Sequence, residues 1–216
     1  MGEIVLLRHG ETEWSKSGRH TGRTDIPLTP EGEKQAQAAA PMLAERHVCR
    51  AWSSPAARAV RTAELAGLRL DGTDPDLWEW DYGGYEGMTT AQIQEQRPDW
   101  SLWTDGVIPG GPGGFPGETA AQVGERCDRV IAKVLPLVDP RAPKHGPEQH
   151  APDQNGRDCD VVLVAHGHLL RVLAARWLGL APTDGRLFKL DTAAVSVLGF
   201  EHEQQVLSLW NSVHHH

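Results

Sequence analysis

Cysteine is scarce in this 216-residue chain: only Cys49, Cys127 and Cys159 occur, far apart and without a CxxC pair. Neither a disulfide framework nor a zinc knuckle is suggested, so the three read as ordinary thiols, and a chain of this length buries a sizeable core without staples. Long apolar runs are also missing. No stretch approaches the roughly 20 residues of a membrane helix, and the N-terminus lacks the basic, apolar and small-residue succession of a secretion signal. A soluble, cytoplasmic protein is expected. Positive charge is in deficit, with 21 Lys and Arg against 29 Asp and Glu for a formal charge of −8. Without a global basic footprint, neither nucleic acid nor an anionic membrane is expected as a partner. Any anionic substrate must then be gripped by a local group of arginines.

The chain reads as one domain over residues 1–213, and the closing His214, His215 and His216 read as a purification-tag remnant outside the chemistry. Ile4-Val5-Leu6-Leu7 is a buried-strand run. After a polar loop, Thr29-Pro30-Glu31-Gly32-Glu33 announces a helix: Thr29 caps, Pro30 suits the first position, and the acids favour the positive end of the dipole. That helix is expected to run to about Arg46. Ala51-Trp52-Ser53 reads as a short strand, with Ser54 capping a helix that starts at Pro55 and ends at Leu65.

From Pro75, the residues Trp78, Trp80, Tyr82 and Tyr85 interleave with acids and glycines as a structured loop. Thr89 to Gln96 should be helical, the Pro/Gly run Ile108 to Gly117 irregular, and Glu118 to Val138 helical, with Val123, Val130, Val134 and Leu137 on one side. Residues 139–158, rich in Pro, Gly and charge, are expected to form a mobile surface insertion. Asp160 to Ala165 is the strongest strand. A helix from Leu169 to Leu178 with Gly179 at its C-cap follows, then two strands, Val195 to Phe200 and Gln205 to Trp210. This alternation predicts an α/β fold of three layers, α/β/α, around a mostly parallel sheet.

Two of these strands end in histidine followed by glycine, Arg8-His9-Gly10 and Ala165-His166-Gly167. Ligands of parallel sheets bind beyond the carboxyl ends of the strands, so both histidines can face one pocket. Arg8 offers a planar, permanently charged fork suited to phosphate oxygens. Arg58 lies in the first turn of the helix after a third strand end, where backbone donors and the dipole also favour an anion. Taken alone, Arg58 reads better as a solvated helix-face charge, and Trp78 and Trp80 read as packing residues. A zinc site from His166-x-His168 with His9 and Glu79 is the chemically distinct alternative. Two arginines aimed at the same place would repel the ion, so no metal ligand is assigned.

Several further motifs agree in order: Glu11-Thr12 after the glycine, Thr21-Gly22 before Pro27-Leu28-Thr29, Ser54-Pro55 with Arg58 and Thr62, Leu77-Trp78-Glu79 with Tyr82-Gly83 and Glu86-Gly87, and His166-Gly167-His168. With Arg8-His9-Gly10, they make the chain resemble the histidine phosphatase superfamily, the phosphoglycerate-mutase-like proteins, from Leu6 to Trp210. The resemblance implies that His9 accepts the phosphoryl group as a phosphohistidine. Arg8, Arg58 and His166 would hold the phosphoryl oxygens, and Glu79 would protonate the leaving oxygen and later activate water. Glu86 and Asp81 compete with Glu79 for that role. The implied substrate contacts are Arg8, Thr12, Ser15, Thr21, Gly22, Arg58, His166 and Gly167, with no cofactor.

Within the family, the stretch Gly87-Met88-Thr89 lacks the lysine that mutases carry after the glycine, which favours a phosphatase over a cofactor-dependent phosphoglycerate mutase. The run Glu13 to Gly22 and the motif His166-Gly167-His168-Leu169-Leu170-Arg171 resemble the branch of sedoheptulose-1,7-bisphosphatases and broad acid phosphatases. The expected substrate and partner is a small phosphorylated metabolite, a sugar phosphate above all. Lys16, Arg19, His20 and Arg171 could form a second anionic subsite or be surface charges. A catalytically weak phospho-ligand binder kept for regulation is the reading from a different class, and a homodimer is left open.

Overall fold

The computed structural model describes residues 2–111, 113–139, 141 and 158–213. Strand β1 (Ile4–Arg8) leads through the short helix α1 (Glu13–Lys16) to α2 (Pro30–Ala38) and α3 (Ala40–Ala44). Strand β2 (Val48–Ser53), α4 (Ala57–Leu65) and the two-residue β3 (Gly72–Thr73) come next. The aromatic loop contains single 3₁₀ turns at Pro75–Leu77 and Gly83–Tyr85. Helices α5 (Thr90–Gln94), α6 (Leu102–Asp105) and α7 (Ala120–Val138) precede β4 (Asp160–Ala165) and α8 (Gly167–Trp177). A 3₁₀ stretch, Pro182–Leu187, and the hairpin β5 (Val195–Glu201) and β6 (Gln204–Ser212) complete the described elements.

The six strands form one sheet in the order β3-β2-β4-β1-β5-β6. Pairings β3–β2, β2–β4 and β4–β1 are parallel, and β1–β5 and β5–β6 antiparallel. Side-chain alternation explains why β1 and β4 read as unbroken apolar runs. Ile4, Leu6, Val161 and Leu163 enter a core shared with Val123, Val130 and Val134 of α7 and with Leu169, Leu173 and Trp177 of α8. Val5, Leu7, Val162 and Val164 enter a second core with Leu43 of α3 and Ala59 and Ala63 of α4. The expected three-layer arrangement is present, and no described helix is long and apolar enough to cross a membrane.

Three expectations need correction. The helix placed from Thr29 to Arg46 is two helices, because Pro41 has no N–H for the carbonyl of Gln37 and its ring crowds that oxygen. Ser54 does not cap α4, which begins at Ala57. The carboxylate of Asp25 accepts the Ala57 amide at 3.1 Å instead. Cys49 and Cys159 are joined as a disulfide with Cα atoms 5.5 Å apart, so Cys127, buried in α7, is the one free thiol among the described residues. The sequence separation of 110 conceals the bond, and it is the β2–β4 pairing that brings the partners together. The insertion at 139–158, apart from 139, 141 and 158, lies outside the described residues, as do 214–216.

The loop leaving β1 presses on the first turn of α2. A Cβ on Gly32 would collide with the Glu11 carbonyl, and one on Gly10 with the Gly32 carbonyl. Helix propensity favours alanine over glycine by about 1 kcal/mol, whereas forced backbone contact costs about 1–3 kcal/mol. Gly32→Ala is expected to lower Tm by about 2–4 °C per kcal/mol in a thermal melt. An equal or higher Tm would show that the loop has room to relax.

Candidate active site

Parallel register places Arg8 opposite Ala165, and the next residue on each strand is a histidine. The His9 amide donates to the Ala165 carbonyl at 2.9 Å, and the two imidazoles meet edge to face with centroids 5.2 Å apart. Strand β2 ends beside them, where the Ser54 amide donates to Val164 and Ser54 Oγ lies 2.7 Å from His166 Nε2. That bond is the use to which Ser54 is put. His9 Nδ1 lies 2.7 Å from the Gly10 carbonyl, which can only accept, so Nδ1 holds the proton and Nε2 keeps a lone pair. Burial, then the charges of Arg58 and Arg8, push the His9 pKa well below 6.5, and burial with Arg58 does the same to His166. Both imidazoles are neutral.

The cations are held by backbone. Fully buried Arg58 donates to the carbonyls of Thr24 and Gly22 at 3.0 Å and of Thr21 at 3.2 Å. Those carbonyls face it because Glu86 accepts the amides of Gly22 and Thr24, each at 3.0 Å. Buried Thr62 ties α4 to the loop after β1, donating to the Arg58 carbonyl and accepting from the Gly10 amide. Arg8 donates to the Leu190 carbonyl, and a Cβ at residue 167 would lie 3.2 Å from its Cζ, so glycine opens α8 where the guanidinium passes. Among the described residues, the buried side-chain polar atoms without a partner are Arg8 Nε, Arg58 Nε and His166 Nδ1. Ser54 Oγ accepts the Ala56 amide and can donate its proton to His166 Nε2, the tautomer in which Nδ1–H is a donor too. Unpaired buried donors are costly, and these three belong to residues that an anion would join.

Glu79 forms part of the cavity wall. Its Oε1 accepts the amides of Trp80 and Leu169 at 2.8 Å, and its Oε2 accepts that of His168 at 3.0 Å, so the first turn of α8 fixes the carboxylate. Its rivals are committed elsewhere, Glu86 to the Gly22–Thr24 loop and Asp81 to the Gly83 amide.

A cavity of about 280 Å³ is lined by Arg8, His9, Ser15, Thr21, Glu79 and Gly167 of the expected set. Arg58, His166, Thr12 and Gly22 are buried and do not line it. Thr12 caps α1, accepting the Ser15 amide, while Ser15 Oγ accepts the Thr12 amide. The Gly22 backbone serves Arg58 and Glu86. Of the outer basic residues, Arg19, His20 and Arg171 reach the cavity, whereas exposed Lys16 pairs with Glu11 at 3.9 Å. Tyr82 and His168 also line it, joined at 2.6 Å between the phenol and Nδ1, as do Thr90 and Leu190. Tyr82 and His168 stand within motifs already read for Glu79 and His166. Thr90 and Leu190 carry no such signal. Among the described residues, no three or more His, Cys, Asp and Glu side chains are grouped to hold a metal ion.

The model of the histidine phosphatase superfamily (branch 1) matches residues 4–213. An acid phosphatase of Mycobacterium tuberculosis is 39% identical over 212 residues, 95% of this chain and 90% of the relative. Sedoheptulose 1,7-bisphosphatase of Saccharomyces cerevisiae is 38% identical over 201 residues, 82% of this chain and 67% of the relative. The solved structure of an open-reading-frame product of Mycobacterium tuberculosis superposes with a TM-score of 0.82 at 39% identity, covering 99% of both chains. With an arginine-histidine pair and a second histidine assembled at adjacent strand ends, this chain belongs to the histidine phosphatase superfamily, branch 1, and is a phosphatase.

Proposed function

We propose that the protein hydrolyses monoesters of small phosphorylated metabolites, sugar phosphates above all, through a phosphohistidine on His9. The observation that carries this reading is the neutral His9, with its Nε2 lone pair free, set among unpaired N–H groups of Arg8, Arg58 and His166. Those donors are suited to phosphoryl oxygens and to the charge that develops on them. His9 Nε2 attacks phosphorus, the P–O bond to the leaving group breaks, and protonated Glu79 gives its proton to that oxygen. Water then attacks phosphorus, its proton passes to Glu79, and the N–P bond breaks to release phosphate. Monoester hydrolysis can require accelerations of up to ~10²¹, so nucleophile, cations and acid must act together. A regulatory binder has no use for a leaving-group acid, and Met88 in place of the mutase lysine favours hydrolysis over transfer.

A substrate with a second anionic group is favoured by one further feature. Arg171 and Arg19 line the outer cavity, and the relative acting on a sugar bisphosphate is 38% identical. Arg171 is held by the Gly185 carbonyl at 3.0 Å and lies 4.7 Å from the Trp103 ring centroid, so it is presented in a fixed position.

His9→Ala is expected to lower turnover by a factor on the order of 10⁴ or more with an unchanged circular dichroism spectrum. Substantial residual activity would remove His9 as nucleophile. Arg171→Met is expected to raise KM for a sugar bisphosphate by about 10-fold or more, the value of a charged hydrogen bond, and to leave a simple monophosphate nearly unaffected. A parallel rise for both would place no second anion at Arg171.

The pH behaviour follows from burial. In the folded chain His20 titrates at about 4, and His9, His166 and His168 titrate well below the ordinary 6.5. Above about pH 7 both folded and unfolded imidazoles are neutral and add no slope. As pH falls through 6.5, the unfolded chain takes up protons that the folded chain refuses, so stability drops. Tm is expected to fall in that window while the His9 and His166 ring resonances, followed by NMR, stay unshifted. Ring titration near 6.5 would mean these imidazoles are hydrated.

A further inference from the structure

Glu79 works as an acid only if its carboxylate stands at the leaving oxygen, yet it lies in a loop of single 3₁₀ turns rather than on a strand. That loop is fastened from both sides by one partly buried ion pair. Arg126 of α7, 7% exposed, meets Glu118 through Nε at 2.7 Å and Nη2 at 2.8 Å. Its remaining donors reach the carbonyls of Asp76 at 2.7 Å, Trp78 at 2.8 Å and Glu79 at 3.4 Å. Glu118 takes the other flank. Its Oε2 accepts the Asp81 amide at 2.9 Å, its own amide donates to the Asp81 carbonyl at 2.9 Å, and its carbonyl accepts the Trp80 indole at 2.8 Å.

The same pair governs Trp78. The Trp78 ring lies parallel to His166 within 2°, with centroids 6.4 Å apart, and Arg23 sits 5.2 Å from the Trp78 centroid and 4.0 Å from Glu118.

We infer that Glu118 and Arg126 are positioning residues for the acid–base step, aiming Glu79 through its backbone while touching no part of the cavity. Neither lines it. A guanidinium is needed because three carbonyls and one carboxylate must be met from a single point, and its planar fork offers five donors. The inference rests on Glu79 being the acid, so the test separates the two claims.

The readout is kcat/KM on an aryl phosphate, p-nitrophenyl phosphate, against an alkyl phosphate, glycerol phosphate, whose poor leaving group needs the proton. Arg126→Lys and Glu118→Gln, conservative changes chosen to keep the fold, are each expected to lower the alkyl rate on the order of 10- to 100-fold, the cost of an ångström-scale misplacement. The aryl rate should change less than about 3-fold, since nitrophenolate leaves without a proton. In a Glu79→Gln background neither change should alter the aryl-to-alkyl ratio further. Equal losses on both substrates, or an extra alkyl-specific loss without Glu79, would overturn the positioning role. If Glu79→Gln discriminates and the pair's variants do not, positioning alone fails. If Glu79→Gln lowers both rates equally, the acid assignment fails and this inference with it.

Discussion

The parallel register of β1 on β4 is the constraint on which the site depends. Pairing Arg8 with Ala165 forces His9 and His166 into adjacent positions at the carboxyl edge of the sheet, and the pairing of Ser53 with Val164 brings Ser54 to the same edge. A slip of one residue would turn the whole apolar set of β1 from one core to the other. Such a slip would exchange Ile4 and Leu6 on the α7 and α8 side for Val5 and Leu7 on the α4 side, and would take His9 out of step with His166. The β1–β4 register therefore sets the placement of the two imidazoles.

That rigid floor carries an electrostatic cost. Bringing guanidinium groups out of water costs several kcal/mol each after relaxation, and Arg58 is fully buried with Asp25 only 3.9 Å away as its nearest carboxylate partner. Backbone carbonyls of Thr21, Gly22 and Thr24 offset part of the cost, while burial and then the arginine charges keep His9 and His166 uncharged. A dianionic phosphoryl group would supply the missing counter-charge. Affinity and catalysis thus draw on one electrostatic deficit rather than on separate devices.

Much of this was legible in the sequence, for local reasons. Strand-end His-Gly pairs, the Thr29-Pro30 helix start and the six-residue β4 each depend on a few neighbouring residues, and the structure places all three where the pattern puts them. The break at Pro41 is also a local signal, one that the helical expectation passes over. What is not legible is what only tertiary contact creates. Ser54 carries a cap's chemistry but is claimed by His166, Asp25 reaches across 32 residues to cap α4, and the disulfide joins strands 110 residues apart. Thr12 matches a phosphate-loop motif, yet its hydroxyl is taken by the first turn of α1.

The site is built unevenly, and the unevenness has a chemical sense. Arg8 ends β1, and His9 and His166 follow directly on β1 and β4, where the proposed nucleophile and a phosphoryl group would need fixed geometry whatever the substrate. Glu79, Tyr82, Thr90 and Arg171 come from loops and helix starts, and they line the cavity where the proposed mechanism would place the leaving group. A loop that merely selected substrates could be loose, but one that also delivers a proton cannot. In the proposed mechanism, the partly buried contact of Glu118 and Arg126 with residues 76–81 would answer that second requirement. It gives a loop the positional precision of a strand while leaving its cavity-facing side chains free to differ.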